Sequence, residues 1–256
     1  MIDDGLRPGS LWTRIDSVPS TGSTNADLRA AALAGEAEGR VLSADEQTAG
    51  RGRLGRAWTA PSGSGLAVSV LLRPEARPAS EWGWLPLLVG LSATAAVDAV
   101  AGLAATLKWP NDLMARDRKL GGILVERVET PSGPAAVVGF GLNVSLEQSD
   151  LPVPTATSLL LEGAPAEPSP LLASYLRELE VRYQDWCSGE VPRGEYRARC
   201  STLGRQVRVH LPGDAPDVVG EAVDVDASGR LVVRVASSDG VGELVALSSG
   251  EVQHVR

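Results

Sequence analysis

The chain is predicted to be an α/β (α+β) protein: a mixed sheet with helices packed against it, followed by a small C-terminal β-barrel. Two observations predict this. Up to Gly204, short apolar strand-like runs are interspersed with segments of helical character, the pattern of helices layered on a sheet. Beyond Gly204 the texture changes to short alternating segments, Val207–His210, Gly220–Val225, Leu231–Val235, Leu244–Leu247 and Val252–Val255. Turn signals such as Leu211-Pro212-Gly213-Asp214 and Ala227-Ser228-Gly229 divide them, as in a small β-barrel. The division between the two parts is placed at residues 1–202 and 203–256.

Taken in order, residues 24–34 read as a short helix that Ser23 or Thr24 can cap and Gly35 can end. Strands are expected at Val41–Ala44 and Gly65–Leu72, and a helix from Glu81 to about Gly102. That helix is uncharged from Trp82 to Val97, but it contains Pro86, meets Asp98, and falls short of the roughly 20 apolar residues of a membrane span. It is expected to be a buried core helix. Strand-like runs follow at Thr106–Trp109, Leu120–Val128 and Ala135–Val144. The stretch from Pro152 to Pro170 is rich in Pro, Ala and Ser; after it, Leu172, Leu176, Leu179 and Tyr183 mark a helix over Ser169–Cys187, and a shorter one is expected over Glu195–Ser201. No internal repeat is visible.

Composition narrows the function. Of 256 residues, 43% are hydrophobic and 22% charged, the balance of an ordinary soluble globular protein. A net charge of -8 argues against broad, non-specific nucleic-acid binding. Two cysteines, Cys187 and Cys200, are too few for a disulfide framework, and Met1–Pro8 carries two aspartates and no apolar core, unlike a secretory signal. A cytoplasmic location with no membrane partner is expected. The two histidines, His210 and His254, both fall in the terminal β-region, so the main domain has no Ser-His-Asp or Cys-His site, and no four His/Cys occur at zinc-ligand spacing. Arg, Lys, Asp, Asn and backbone groups must carry its chemistry. They suit reactions activated by a nucleotide, where positioning and electrostatics do most of the work.

Four segments stand out. Gly50-Arg51-Gly52-Arg53-Leu54-Gly55-Arg56-Ala57-Trp58 concentrates positive charge on a glycine-rich backbone, a loop suited to closing on an anion. It imitates the dinucleotide fingerprint, yet no apolar strand leads directly into it and no helix follows. It imitates a P-loop, yet Arg56-Ala57 stands where Lys-Ser/Thr is required; a kinase loop fails because no His-Arg-Asp or Asp-Phe-Gly follows. A flexible RNA-binding tail would not sit once inside a globular pattern. Lys108-Trp109-Pro110-Asn111-Asp112 taken alone is a strand ending in a turn. Arg118–Glu126 is a basic pair entering an apolar strand, and Gly139-Phe140-Gly141-Leu142-Asn143-Val144 places two glycines inside a strand, which marks close approach by a ligand or backbone.

In this order, with Ser23-Thr24-Asn25 and Gln47 ahead of them, these segments resemble a biotin protein ligase (biotin–acetyl-CoA-carboxylase ligase) over roughly residues 15–256. The terminal β-region, with Ser249-Gly250-Glu251-Val252, is similar to that family's SH3-like C-terminal domain. The resemblance implies a catalytic sheet related to class II aminoacyl-tRNA synthetases and a two-step reaction. Biotin's carboxylate attacks the α-phosphate of Mg-ATP to give biotinyl-5′-AMP and pyrophosphate; a carrier-domain lysine then takes the biotinyl group and releases AMP. No enzyme nucleophile is needed.

By the same resemblance, Ser23, Thr24, Asn25 and Gln47 line the biotin head, with Gly122, Gly139 and Gly141 letting the sheet backbone approach. Arg51, Gly52 and Arg53 belong to a loop that folds over the intermediate, and Lys119 contacts the carboxyl and α-phosphate, so Lys119, Arg51 and Arg53 are the expected catalytic cations. Arg56, Trp58, Lys108, Asn111 and Asn143 fall on the adenylate side, and Asp112 is a candidate magnesium ligand. For Ser23, Thr24 and Trp58 the plain readings, helix capping and core packing, stay open. Some family members begin with a DNA-binding helix-turn-helix; here Ser23 comes too early for one, so no DNA partner is expected. The expected partners are biotin, ATP and a biotin carboxyl carrier domain. The alternatives are a lipoate–protein ligase, which should carry a Gly-Gly-Gly type segment in place of the arginine loop, and a non-catalytic biotin-binding regulator.

Overall fold

The computed structural model describes residues 9–213, 215–236 and 242–255; the reading of Met1–Pro8 lies outside them. The first part consists of β1 (Arg14–Thr21), α1 (Thr24–Leu33), β2 (Arg40–Gln47), β3 (Gly65–Leu72), α2 (Leu85–Ala101), β4 (Thr106–Lys108), β5 (Asp112–Ala115), β6 (Arg118–Thr130) and β7 (Gly133–Asn143). Its seven strands run in the order β1-β2-β3-β7-β6-β5-β4, with β1 and β2 parallel across α1 and every other pair antiparallel, so the sheet is mixed as expected. Two helices, α3 (Pro168–Ser188) and α4 (Arg193–Arg199), lead to β8 (Gln206–His210), β9 (Val218–Val225), β10 (Leu231–Val235), β11 (Glu243–Leu247) and β12 (Glu251–His254). These form an antiparallel sheet in the order β11-β10-β9-β8-β12.

Two strands are additions to the sequence reading. Along β1, Arg14-Ile15-Asp16-Ser17-Val18-Pro19-Ser20-Thr21 is largely polar because the strand is an edge with little to bury, and Pro19 falls where no ladder partner is needed. β5 is short and begins inside what reads as a turn; it is the return arm of a hairpin closed by the cis Trp109–Pro110 bond. The other expected elements are present, most with ends moved by a residue or two. β2 runs three residues beyond Ala44, and the helix expected from Glu81 begins at Leu85, after a 3-10 turn over Ala79–Trp84. Pro86 in its first turn costs no backbone hydrogen bond.

Alternation along the strands makes two different faces. One face packs against α2 and α3 through Val68, Val70, Phe140, Leu142, Ile123 and Val138. α2 is buried nearly all round, which is why it carries no charge until Asp98, and it ends at Gly102 in the left-handed region with φ 64°. The Ala79–Ala101 stretch is long and apolar enough to cross a membrane by length and composition, but 67% of its most apolar window lies buried inside the protein. The opposite face is covered by α1, where Leu28, Ala31 and Ala32 pack on Leu42, Leu71, Val128, Ala135 and Val137. Ser23 caps α1, its Oγ accepting from Ala26 N–H at 3.4 Å.

Tryptophans join the two sheets. Trp84 and Trp109 are fully buried, and their indole N–H groups donate to Ala227 O at 2.8 Å and Gly229 O at 3.1 Å, both in the β9–β10 turn. Trp109 N–H is in turn held by Thr202 Oγ1 at 3.1 Å. Apolar residues of both sheets form one continuous core. Replacing Trp84 by Phe keeps an aromatic ring but leaves the Ala227 carbonyl unpaired. Urea unfolding of Trp84→Phe should show a loss of about 1–3 kcal/mol relative to the parent.

Candidate active site

α1 is too short to cover its whole face of the sheet. Along β7, the residues on this face run Ala135, Val137, Gly139, Gly141: the first two pack under the helix, the last two lie bare beyond its N-terminus. On β6 the same face carries Gly122 and Leu124. The bare half is the floor of a cleft whose open space, mouth included, is about 970 Å³. Neither floor glycine tolerates a side chain. A Cβ on Gly139 would lie 2.3 Å from Asn25 Oδ1, and one on Gly141 would lie 2.5 Å from the Trp58 indole.

At one end of the cleft, the start of α1 and the end of β2 make a polar cluster. Thr24 N–H and Thr24 Oγ1 both donate to Gln47 Oε1, at 2.9 and 3.1 Å. Ser69 Oγ, completely buried on β3, lies 2.7 Å from Thr24 Oγ1 and 2.6 Å from Asn25 Oδ1. Asn25 Nδ2 donates to Glu126 Oε2 at 2.7 Å and to Leu124 O at 3.3 Å. Ser23, Thr24 and Asn25 are themselves buried, so these bonds replace water that the groups have lost.

The other end is cationic. The Gly50–Trp58 loop is a tight hairpin: Arg51 bridges Ala57, Trp58 N–H donates to Gly50 O at 2.9 Å, and Gly52 N–H donates to Arg56 O at 2.7 Å. Leu54 at its tip has φ 57° and is 65% exposed, a strained position for a branched apolar residue. The tip leans on the second sheet: Arg53 donates to Asn111 Oδ1 at 3.0 Å and Gly250 O at 3.4 Å, and Arg56 pairs with Glu251 at 2.5 Å. Burial lowers the Arg53 pKa from its ordinary value, an effect partly opposed by the Asp112 carboxylate. Lys119 Nζ pairs with Asp112 Oδ1 at 2.5 Å and lies beside Gly122. Five cationic side chains, Arg51, Arg53, Arg56, Lys108 and Lys119, line the cleft against two carboxylates, Asp112 and Glu251. In a chain of net charge -8 this is a strong local reversal.

Ser23, Thr24, Asn25, Gln47, Arg51, Gly52, Arg53, Arg56, Trp58, Lys108, Asn111, Asp112, Lys119, Gly122, Gly139 and Gly141 thus all line one cleft. Asn143 does not. It is buried, and its Nδ2 donates to Thr157 O at 2.8 Å. Thr157 N–H in turn donates to Lys119 O, and Lys119 N–H donates to Thr155 O, both at 2.8 Å, so Asn143 braces the segment that clamps the Lys119 backbone. Trp58 is half-buried on the cleft floor and is not a core residue. Among the described residues no three His, Cys, Asp or Glu side chains gather as a metal site, and Asp112 already holds Lys119. The sequence reading assigns no site role to Ser69, nor to Glu126, Glu251 and Val252, although these three lie in segments it singles out. The period-2 placement of Glu126 after Gly122 and Leu124 was a signal for it; the Ser249–Val252 run marked Glu251 and Val252 as part of the terminal domain but not as cleft residues, and nothing local marked Ser69.

Fold and cleft together define a protein ligase of the biotin/lipoate class. Residues 17–143 match the Biotin/lipoate A/B protein ligase family and residues 202–255 match the Biotin protein ligase C terminal domain. The biotin–[acetyl-CoA-carboxylase] ligase of Mycobacterium tuberculosis is 44% identical over 263 residues, covering 99% of this chain and 94% of that protein. Among solved structures, the biotin protein ligase of Aquifex aeolicus in complex with biotin and ATP has a TM-score of 0.80 at 25% identity, covering 95% of this chain and 100% of that one. The Leishmania major enzyme in complex with biotinyl-5-AMP has a TM-score of 0.60 at 26% identity, over 91% and 98% of the two chains. The chain belongs to the biotin protein ligase family.

Two measurements test this geometry. The Arg56–Glu251 pair is about half exposed on both sides, so it contributes about 0.2–1 kcal/mol to the contacts, with those of Arg53, that hold the loop tip on the second sheet. Limited trypsin digestion at Arg51, Arg53 and Arg56 should run about two- to fivefold faster in Glu251→Gln, with the difference fading at high salt. His254, beside the cleft's far wall, has its pKa pushed down to about 4 by burial, then by Lys108 and Arg205, with Asp117 opposing. The unfolded chain therefore binds this proton at a pH where the folded chain does not. Stability present above pH 6.5 should fall as pH drops towards 4, and less so in His254→Gln, as read by urea unfolding at pH 7 and pH 5.

Proposed function

We propose that this chain is an ATP-dependent biotin protein ligase: it joins biotin and ATP to give biotinyl-5′-AMP and pyrophosphate, then passes the biotinyl group to a lysine of a biotin carboxyl carrier domain. The observation that carries the reading is the polarity of the cleft. One end offers oriented amide and hydroxyl groups from Thr24, Asn25 and Gln47, braced from behind by buried Ser69, as a buried cyclic urea requires. The other offers the five cations, as a carboxylate and phosphates require. The named relative and the ligand complexes of its structural neighbours agree with it.

In the first step a carboxylate oxygen forms a bond to the α-phosphorus while the bond to the pyrophosphate oxygen breaks. Both partners are anionic, so the main task of the protein is to hold them together. Lys119, on a backbone clamped on both sides, is the cation nearest the floor between the two ends, beside Gly122 and the Trp58 ring. The Arg51–Arg53 hairpin closes from above with guanidinium forks suited to carboxylate and phosphate oxygens. Trp58 presents a flat face on the floor for the adenine. Magnesium enters with ATP as part of the substrate, and Asp112 with Asn111 are the groups this chain would offer it; a single carboxylate alongside phosphate oxygens suits that ion. In the second step the carrier amine attacks the acyl carbon and AMP leaves with the bonding electrons. Exclusion of water by the hairpin protects the anhydride until then.

Biotin-dependent ATP–pyrophosphate exchange tests the proposal, with lipoate in place of biotin as the discriminating control. Exchange with biotin and none with lipoate is expected; the reverse would reassign the substrate. Lys119→Ala should lower the exchange rate by about a hundred- to a thousandfold. Its circular dichroism and melting temperature should stay within error of the parent. An unchanged rate would remove Lys119 from its assigned role.

A further inference from the structure

Glu126 follows Gly122 and Leu124 on the same face of β6, just beyond the cleft wall. It is half-buried, makes no ion pair among the described residues, and spends Oε2 on Asn25 Nδ2 at 2.7 Å. Together with Leu124 O it takes both protons of the Asn25 amide. An ionised carboxylate can only accept. Glu126 is thus the closer and the charged one of the two acceptors that set which way the amide faces, with Ser69 Oγ on the opposite side: turned over, Asn25 Oδ1 would meet the carboxylate at the same distance. Neither the shape of the amide nor the packing of α1 could make that choice, because the two ends of a carboxamide are nearly isosteric.

We infer that Glu126 is a positioning residue for substrate recognition: it fixes the Asn25 amide with its carbonyl oxygen over Gly139, so that Asn25 offers the cleft an acceptor and no donor. The consequence is a defined polarity at this end of the cleft. Asn25 Oδ1 keeps a lone pair beyond the contact with Ser69. Gln47 is committed in the opposite sense: its Oε1 is occupied by Thr24 N–H and Oγ1, so its Nε2 remains as a donor. One fixed acceptor and one fixed donor match the N–H and C=O of a ureido ring, and an amide free to turn would present the wrong group half the time. This inference rests on the biotin reading of the cleft and names a residue that governs its specificity without touching the ligand.

Calorimetric titration of biotin and steady-state kinetics on the full chain test it. Glu126→Gln keeps the volume of the side chain but removes its acceptor-only character. It should weaken biotin binding and raise the biotin KM about tenfold, with kcat at saturating biotin and the ATP KM within about twofold of the parent. Asn25→Asp alone brings two carboxylates face to face and should bind biotin poorly. Combined with Glu126→Gln, it restores a donor–acceptor pair of reversed sense while still presenting an oxygen to the cleft, so the double variant should bind biotin more tightly than Asn25→Asp alone. A bystander in the fold would not produce that rescue. Unchanged biotin affinity in Glu126→Gln, a parallel loss of kcat and ATP affinity, or no gain in the double variant would each overturn the assignment. If the parent chain binds no biotin, the reading of the cleft fails and this inference with it; if the parent binds and the variant is unaffected, only the role of Glu126 falls.

Discussion

Two adjacent positions on one face of β7 carry no side chain, and most of the functional geometry follows from that. Where the strand carries Ala135 and Val137, α1 packs down and closes the core. Two residues on, at Gly139 and Gly141, the same face is left bare, and the space that side chains would fill is taken by the Asn25 amide and the Trp58 ring. A side chain at either position would collide with a group that lines the cleft. The chain thus sacrifices strand stability, since glycine in a strand interior weakens it, to bring polar and aromatic groups down onto a sheet floor. The polar cluster at the start of α1 and the indole on the floor are both positioned by this absence.

Charge is organised on the same principle of local exception. The surface as a whole is acidic, yet the cleft collects five cations with two carboxylates. Bare, such a cluster would repel itself. The carboxylates are spaced to prevent that: Asp112 holds Lys119, and Glu251 holds Arg56 from the second sheet. Arg53 bridges the halves, contacting Asn111 on one side and the Gly250 carbonyl on the other. The hairpin is therefore partly secured by contacts that an anionic group can replace with stronger ones. Buried Trp84 and Trp109 hold the second sheet rigidly enough for Glu251 to be in reach.

Much of this was legible in the sequence. Each helix and most strands could be placed because a core face imposes periodicity: α2 is apolar throughout since it is buried nearly all round, and β3 reads as a strand from Gly65 to Leu72 since both its faces are covered. The edge strand β1 escaped because an edge has little to bury and therefore little pattern. Among site residues, the arginine hairpin and the paired glycines stood out because residues this costly to place are rarely put together without a use, whereas Lys119 was picked out only by the family resemblance. Asn143 reads as a ligand group by that resemblance, but its amide is spent on Thr157, where it steadies the segment gripping Lys119. Ser69 looks ordinary in sequence, and Glu251 and Val252 read only as part of the terminal β-region; their neighbours across the sheet and across the junction between the two sheets give them a place in the cleft.

The sequence by itself determined the class of fold, the absence of histidine from the cleft chemistry, and the inventory of cations, amides and glycines from which a ligase of anionic partners can be built. Those follow from composition and short-range pattern, which the backbone's two periodicities make readable. Tertiary structure alone decided which groups face each other and in what sense: that Glu126 orients Asn25, that Asp112 engages Lys119, and that Arg56 reaches Glu251 nearly two hundred residues away. Hydrogen-bond direction and ion pairing depend on ångström-scale distances between segments remote in the chain, and nothing in local sequence encodes such distances until the core has packed.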